Sequence, residues 1–267
     1  MKEVIIRFLS GVLYVSLVLS SLFTSSEWYL VLIFCLTIIT LHEFLKLISL
    51  KGIVPYILVL IPFYFIAFQS IDYSLLHSLL FFSVLMNIFL FRDVMLLDKI
   101  TFFKSKRYLG VIFYIISGFI FLTLIPSIGS TFQPKLVLGI FILTWTNDTF
   151  AYLIGKRFGK RKLKEKISPK KTIEGFIGGL LAALIGGVII SNTTLLYSPV
   201  FWLLLALLVS VLGTSGDLIQ SKFKRLAGVK DSGRIMPGHG GVYDRLDSII
   251  FASPFIYLFI IFINYVS

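Results

Sequence analysis

Apolar residues run along this chain in continuous blocks, with polar residues gathered between them rather than alternating through them. Blocks at 5–24, 28–48, 53–70, 75–91, 108–127, 134–155, 173–192, 197–216 and 247–266 approach or reach the ~20 residues a helix needs to cross a hydrocarbon core about 30 Å thick. Strands would show a period of two, and an open sheet would leave backbone groups unbonded in lipid. The pattern predicts an all-α, polytopic integral membrane protein with about nine transmembrane helices. The first block resembles a signal peptide in hydropathy, but it lacks a small-residue cleavage site and eight similar blocks follow, so it reads as helix 1.

Composition agrees. Mean hydropathy is +0.96, and 27 Phe and 12 Tyr accompany a charged fraction of only 14%, outside the range of soluble domains. Charge then orients the chain. With a cytoplasmic N-terminus, the segments 1–7, 46–52, 91–107, 156–171 and 217–246 fall on one side and carry 24 of the 25 Lys and Arg residues, leaving Lys135 alone opposite. This asymmetry predicts an N-terminus inside and a C-terminus outside a cell membrane. It also accounts for the net charge of +12 without nucleic acid as a partner. Cys35 stands alone, and the three histidines are scattered, so neither a disulfide framework nor a zinc site is indicated.

The two halves of the chain differ in character. Residues 1–130 read as scaffold helices 1–5, whose polar residues sit mainly near helix ends. His42, Glu43 and Lys46 are a partial exception at the end of helix 2; Glu43 and Lys46 at i, i+3 can form a surface pair, or the group can line a site. No internal repeat is detectable, which gives an inverted-repeat transporter no support. Residues 134–267 read as the catalytic membrane region, helices 6–9 with cytoplasmic loops 156–172 and 217–246.

In that second half, polar groups enter the apolar blocks. Asn147 and Asp148 lie about seven residues, or roughly 10 Å, inside the cytoplasmic end of helix 6, where a carboxylate costs about 3 kcal/mol on insertion scales. Asp148 is thus either functional or bonded to a neighbouring helix. Next comes a loop with nine basic residues. Ser168 and Pro169 look like an N-cap and first helical residue, which would set Lys170 and Lys171 in the first turn of helix 7; cations oppose the dipole there unless an anion such as phosphate is bound. Gly175, Gly179 and Ala183 make a small-residue stripe for close helix packing. If helix 8 continues to about Ala227 with Gly228 as its stop, Asp217, Gln220, Ser221 and Lys224 share one face. The glycine-rich stretch PGHGG, with Gly240 and Gly241, can bring backbone amides against a phosphate. Asp244 and Asp247 open helix 9 on one side.

Carboxylates from helices 6, 8 and 9 beside Lys and Arg suit a hard, oxygen-ligated cation of the Mg²⁺ type together with a polyphosphate. A site at membrane level makes a lipid phosphate the natural second substrate, and charge stabilisation would dominate catalysis.

Residues 221–247, SKFKRLAGVKDSGRIMPGHGGVYDRLD, resemble the signature of the phosphatidate cytidylyltransferase (CDP-diacylglycerol synthase) family, and NDTFAYLIGKRFG and SPKKTIEGFIGG resemble its two upstream motifs. The resemblance implies transfer of CMP from CTP to phosphatidic acid, yielding CDP-diacylglycerol and pyrophosphate with Mg²⁺, as one ion or two. Under it, Asp217 and Asp244 are metal ligands, with Asp148 and Asp247 as further acidic members. Lys170, Lys171, Lys224, Arg225, Lys230 and Arg245 handle phosphates, with Ser221, Gly240 and Gly241 in the substrate site; His239 either contacts phosphate or orders the loop. The expected partners are CTP, phosphatidic acid, the surrounding lipids and a second copy of the chain in a homodimer. Two other readings are a cytidylyltransferase for another lipid phosphate and a transporter of an anionic solute. A transporter predicts charge spread through the bilayer, whereas here it gathers at one end of helices 6–9.

The orientation is testable. Cysteines introduced at Ser130 and Thr194 are expected to react with an impermeant reagent from outside sealed cells, and one at Lys162 is not; external labelling of position 162 would reverse the topology.

Overall fold

The structure, a computed structural model, describes residues 2–69, 72–97, 100, 106–129, 131–194, 196–238 and 240–266. The predicted blocks appear as helices α1 (Lys2–Thr24), α2 (Ser26–Leu47), α3 (Val54–Phe68), α4 (Tyr73–Met95), α5 (Arg107–Ser127), α6 (Pro134–Phe158), α7 (Ile173–Thr194), α8 (Pro199–Leu226) and α9 (Tyr243–Val266). Among the described residues, seven of these are long and apolar enough to cross a membrane. Two further apolar helical stretches among the described residues, Phe8–Thr24 of α1 and Val54–Phe68 of α3, are shorter.

Large apolar side chains such as Phe8, Phe68, Phe81, Ile185 and Phe262 point outward, whereas Thr37, Ser83, Asn87, Ser117 and Ser210 are buried. This inversion fits a protein solvated by hydrocarbon, because polar groups there must find partners inside. The Ser83 and Ser117 hydroxyls meet at 2.8 Å, and the Asn87 amide donates to the Phe251 carbonyl at 3.3 Å, joining α4 to α5 and α9.

Helices α6, α7 and α8 pack in succession, α8 lies on α9, and α9 also meets α2, α4 and α5. Small residues permit the closest approaches. A Cβ on Gly175 would stand 2.6 Å from the Ala151 carbonyl oxygen, and one on Gly179 would stand 2.6 Å from that of Asn147, so the predicted stripe seats α7 on α6. Gly216 does the same for α8 and α9, with the Asp247 carbonyl oxygen 2.6 Å from its would-be Cβ. A π-helical stretch, Val111–Ile116, interrupts α5 and includes Tyr114, whose hydroxyl lies 2.9 Å from that of Tyr243 at the start of α9.

The segment after α6 differs from expectation. Ser168–Thr172 is a strand (β2) paired antiparallel with Lys162–Lys164 (β1), not the start of a helix. Thr172 supplies the cap for α7, accepting the Gly175 N–H at 3.1 Å. Glu174 holds the hairpin's base by accepting the Lys160 N–H at 3.0 Å and that of Arg161 at 3.2 Å. The segment 217–246 is likewise not all loop: 217–226 completes α8 and 243–246 begins α9, leaving 227–238 and 240–242 outside the helices.

The α6–α7 contact makes a prediction. Gly179→Ala forces the helices apart and is expected to destabilise the protein by about 1–3 kcal/mol, seen as a lower thermal midpoint in detergent. Gly186→Ala, whose nearest neighbour would be 3.6 Å away, leaves the midpoint unchanged or slightly raised.

Candidate active site

The polar residues singled out in sequence converge where α8 ends, α9 begins and the β-hairpin folds back. Helical spacing places Asp217, Gln220, Ser221 and Lys224 on one face of α8, as predicted. The Ser221 hydroxyl donates to Asp217 at 3.2 Å. Lys224 Nζ lies 2.7 Å from Asp244 Oδ1, and Gln220 Nε2 donates to the same oxygen at 3.0 Å. α8 ends with Ala227 as its C-cap, and Gly228 follows at φ +71°, a conformation a side chain would resist.

The hairpin carries the two lysines. On β2, Lys170 is exposed, while Lys171 is partly buried with its Nζ 2.5 Å from Asp217 Oδ2. Burial alone would lower the Lys171 pKa, but the carboxylates of Asp217, Asp148 and Asp247 outweigh it and raise the value above that of an ordinary lysine. The pairing therefore persists below the unfolded lysine pKa and is lost only as pH rises through the higher folded value.

Three carboxylates from three helices thus act on one ammonium. Asp148 on α6 accepts from Asn147 Nδ2 at 3.3 Å, and Asp247 on α9 is buried and accepts the Ser248 N–H at 2.8 Å. Asp244 is engaged separately. Besides Lys224 and Gln220 on Oδ1, its Oδ2 accepts the N–H groups of Ser232 and Gly241, each at 2.9 Å, and the Ser232 hydroxyl at 3.0 Å. Asp217 and Asp244 thus each stand against their own lysine. Among the described residues, no three His, Cys, Asp or Glu side chains form a metal cage. The buried oxygens Asn147 Oδ1 and Gln220 Oε1 have no hydrogen-bond partner in the protein.

The remaining predicted residues rim this centre. Lys230 and Arg245 are exposed, and Arg225, also exposed, reaches the Ile167 carbonyl at 3.4 Å, tying the hairpin to α8. Gly240 has φ +92°, and a Cβ there would press on Asp244 Oδ2 at 2.9 Å, so both conformation and space call for glycine. His239 lies outside the described residues. An aromatic cluster of Phe44, Tyr114, Phe223 and Tyr243, with ring centroids 5.2–6.0 Å apart, underlies the loop.

A model of the cytidylyltransferase family matches residues 5–263. The chain belongs to the cytidylyltransferase family. It is 35% identical over 263 residues to the phosphatidate cytidylyltransferase of Bacillus subtilis (strain 168), covering 94% of this chain and 95% of that protein. It is 34% identical over 274 residues to that of Staphylococcus haemolyticus (strain JCSC1435), covering 96% and 98%. With that of Staphylococcus aureus (strain COL), identity is 43% over 170 residues, 61% of this chain and 62% of the relative. A cytidylyltransferase handles a triphosphate, and the rim of Lys and Arg around a carboxylate centre is suited to that.

Sequence reasoning left Glu43 open between a surface pair and a place lining the site. It is 2% exposed and turned toward the 232–243 loop, while Lys46 is exposed, so the surface pair does not form. His42 meets the Tyr56 hydroxyl at 2.8 Å instead. The signal was a carboxylate among apolar residues at a helix end, but its partners lie almost 200 residues away.

The contrast between the adjacent lysines can be measured. At about pH 8.5, below the ordinary lysine pKa of ~10.4, an amine-reactive ester is expected to modify Lys170 well before Lys171. Equal rates by peptide mass spectrometry would separate Lys171 from Asp217.

Proposed function

We propose that this protein is a phosphatidate cytidylyltransferase, making CDP-diacylglycerol and pyrophosphate from CTP and phosphatidic acid at the cytoplasmic face of a cell membrane. The observation that carries the reading is the carboxylate–lysine centre at the membrane-level ends of α8 and α9, in a chain related along nearly its whole length to proteins of that name. In the reaction, a phosphate oxygen of phosphatidic acid forms a bond to the α-phosphorus of CTP while the bond from that phosphorus to the bridging oxygen of the β-phosphate breaks. Pyrophosphate leaves with that oxygen. The attacking phosphate is already anionic at neutral pH, so no general base is required.

The chain's residues position charge. Lys171 and Lys224, held by Asp217 and Asp244, provide ammoniums at the centre, and Lys170, Arg225, Lys230 and Arg245 supply cations at the rim for the triphosphate and the lipid headgroup. The donor set is all oxygen, as Mg²⁺ requires, and includes the unpartnered amide oxygen of Asn147 beside Asp148, while among the described residues no three of its carboxylates converge as long as Lys171 and Lys224 occupy Asp217 and Asp244. Asp148, Asp217, Asp244 and Asp247 are the residues that would hold the ion. When bound, Mg²⁺ would neutralise charge on the transferring phosphoryl group. Placement of the centre at helix ends lets acyl chains remain in lipid while the headgroup reaches it.

The test is incubation of purified protein in detergent with labelled CTP, Mg²⁺ and a panel of lipid phosphates. Phosphatidic acid is expected to be the preferred acceptor; preference for an isoprenoid phosphate would transfer the activity to another lipid class. Asp217→Asn is expected to lower turnover about 10²-fold or more, the scale of losing one preorganised electrostatic contact.

A further inference from the structure

Glu43 belongs to α2, far in sequence from every motif of the site, yet its carboxylate is built into the loop that carries them. Oε1 accepts the Val242 N–H at 3.1 Å, and Oε2 accepts the Tyr243 N–H at 2.9 Å and the Ser232 hydroxyl at 2.9 Å. Val242 and Tyr243 are the residue before α9 and its first residue, so Glu43 satisfies N–H groups that helix formation leaves free. The surroundings admit no slack. A Cβ on either Gly233 or Gly241 would collide with the Glu43 carboxylate.

A neutral Ser or Asn would cap a helix as well. A carboxylate does more here, because the Ser232 hydroxyl also lies 3.0 Å from Asp244 Oδ2. Its single hydrogen serves two anions, one from α2 and one from α9. The run Glu43, Ser232, Asp244, Lys224 therefore connects α2 to the ammonium at the centre through contacts of 2.7–3.0 Å.

We propose that Glu43 is a positioning residue for cytidylyl transfer: through Ser232 and the first turn of α9 it fixes the orientation of Asp244 and, with it, of Lys224. The proposal rests on the phosphatidate cytidylyltransferase reading for its kinetic consequences, while the anchoring itself can be measured without turnover. Glu43→Gln keeps the volume but replaces one acceptor oxygen with an amide donor, facing groups that also donate. Glu43→Asp keeps the charge on a shorter stem, and Ser232→Ala removes the shared hydroxyl.

The experiment is a double-mutant cycle in purified full-length protein, combined with amide hydrogen exchange of the peptide spanning 240–246. Glu43→Gln and Ser232→Ala are each expected to lower kcat about tenfold or more, with KM for CTP changing by less than about threefold, since a small misplacement suffices for such losses. The double mutant is expected to be no slower than the slower single, because both act through one connection. Glu43→Asp recovers part of kcat, and Glu43→Gln speeds exchange at 240–246. Wild-type kcat in Glu43→Gln, or losses that multiply in the double mutant, overturn the proposal. Should Glu43→Gln fail to fold, Ser232→Ala and Glu43→Asp decide: wild-type kcat in Ser232→Ala overturns it. If wild-type protein itself does not convert CTP and phosphatidic acid, the substrate reading fails; unchanged exchange in Glu43→Gln fails the anchoring instead.

Discussion

Charge beside hydrocarbon must be neutralised locally, and the Asp217–Lys171 and Asp244–Lys224 pairs at the end of α8 meet that demand. Each pair draws its lysine from a different place: Lys171 comes from the β-hairpin and Lys224 from α8 itself, 2.5 Å and 2.7 Å from their carboxylates. Partly buried pairs of this kind add little stability compared with apolar packing, but removing one partner leaves an ion without its counter-charge. Their consequence is positional. The hairpin has to fold against α8, and α9 has to begin where Asp244 can reach Lys224.

The rest of the second half serves these constraints. Gly175 and Gly179 let α7 lie close enough to α6 to bring Asn147 and Asp148 toward the hairpin, and Gly216 lets α9 approach α8 closely. Helices α2, α4 and α5 contribute from the other side. The hydroxyl contact of Tyr114 with Tyr243 sits in the π-helical turn of α5, a local irregularity of the sort that re-aims a side chain at a functional site. The division into scaffold and catalytic region therefore describes where the motifs lie, not where the contacts lie, because α2 reaches into the signature loop through Glu43.

Much of this was legible in the residues alone. The length of the apolar blocks predicted the helices, since backbone in lipid has few other solutions. Spacing of four along one helix predicted both the glycine stripe and the shared face of Asp217 and Ser221, because local geometry decides which side chains share a face. The run from Ser221 to Asp247 identified the family before any fold was considered. The dipeptide Ser-Pro was ambiguous. At Ser198–Pro199 it caps α8, with Ser198 accepting the Phe201 N–H at 3.3 Å; at Ser168–Pro169 it enters a strand. Both environments tolerate proline and an extended residue before it, so the dipeptide does not choose.

Sequence by itself determined that the chain is a membrane-embedded helical protein and which residues carry its charge, because these follow from composition, run length and spacing within one element, and the resemblance of its motifs pointed to the family. Tertiary structure decided which charges meet. Lys171 meets Asp217 while the adjacent Lys170 stays exposed. Asp244 takes Lys224 and the loop amides, and Glu43 leaves Lys46 for partners that only the packing of α2 against α9 brings near. Those choices depend on contacts between residues distant in sequence, whose energy is gained only after the helices have assembled, and no local pattern records it.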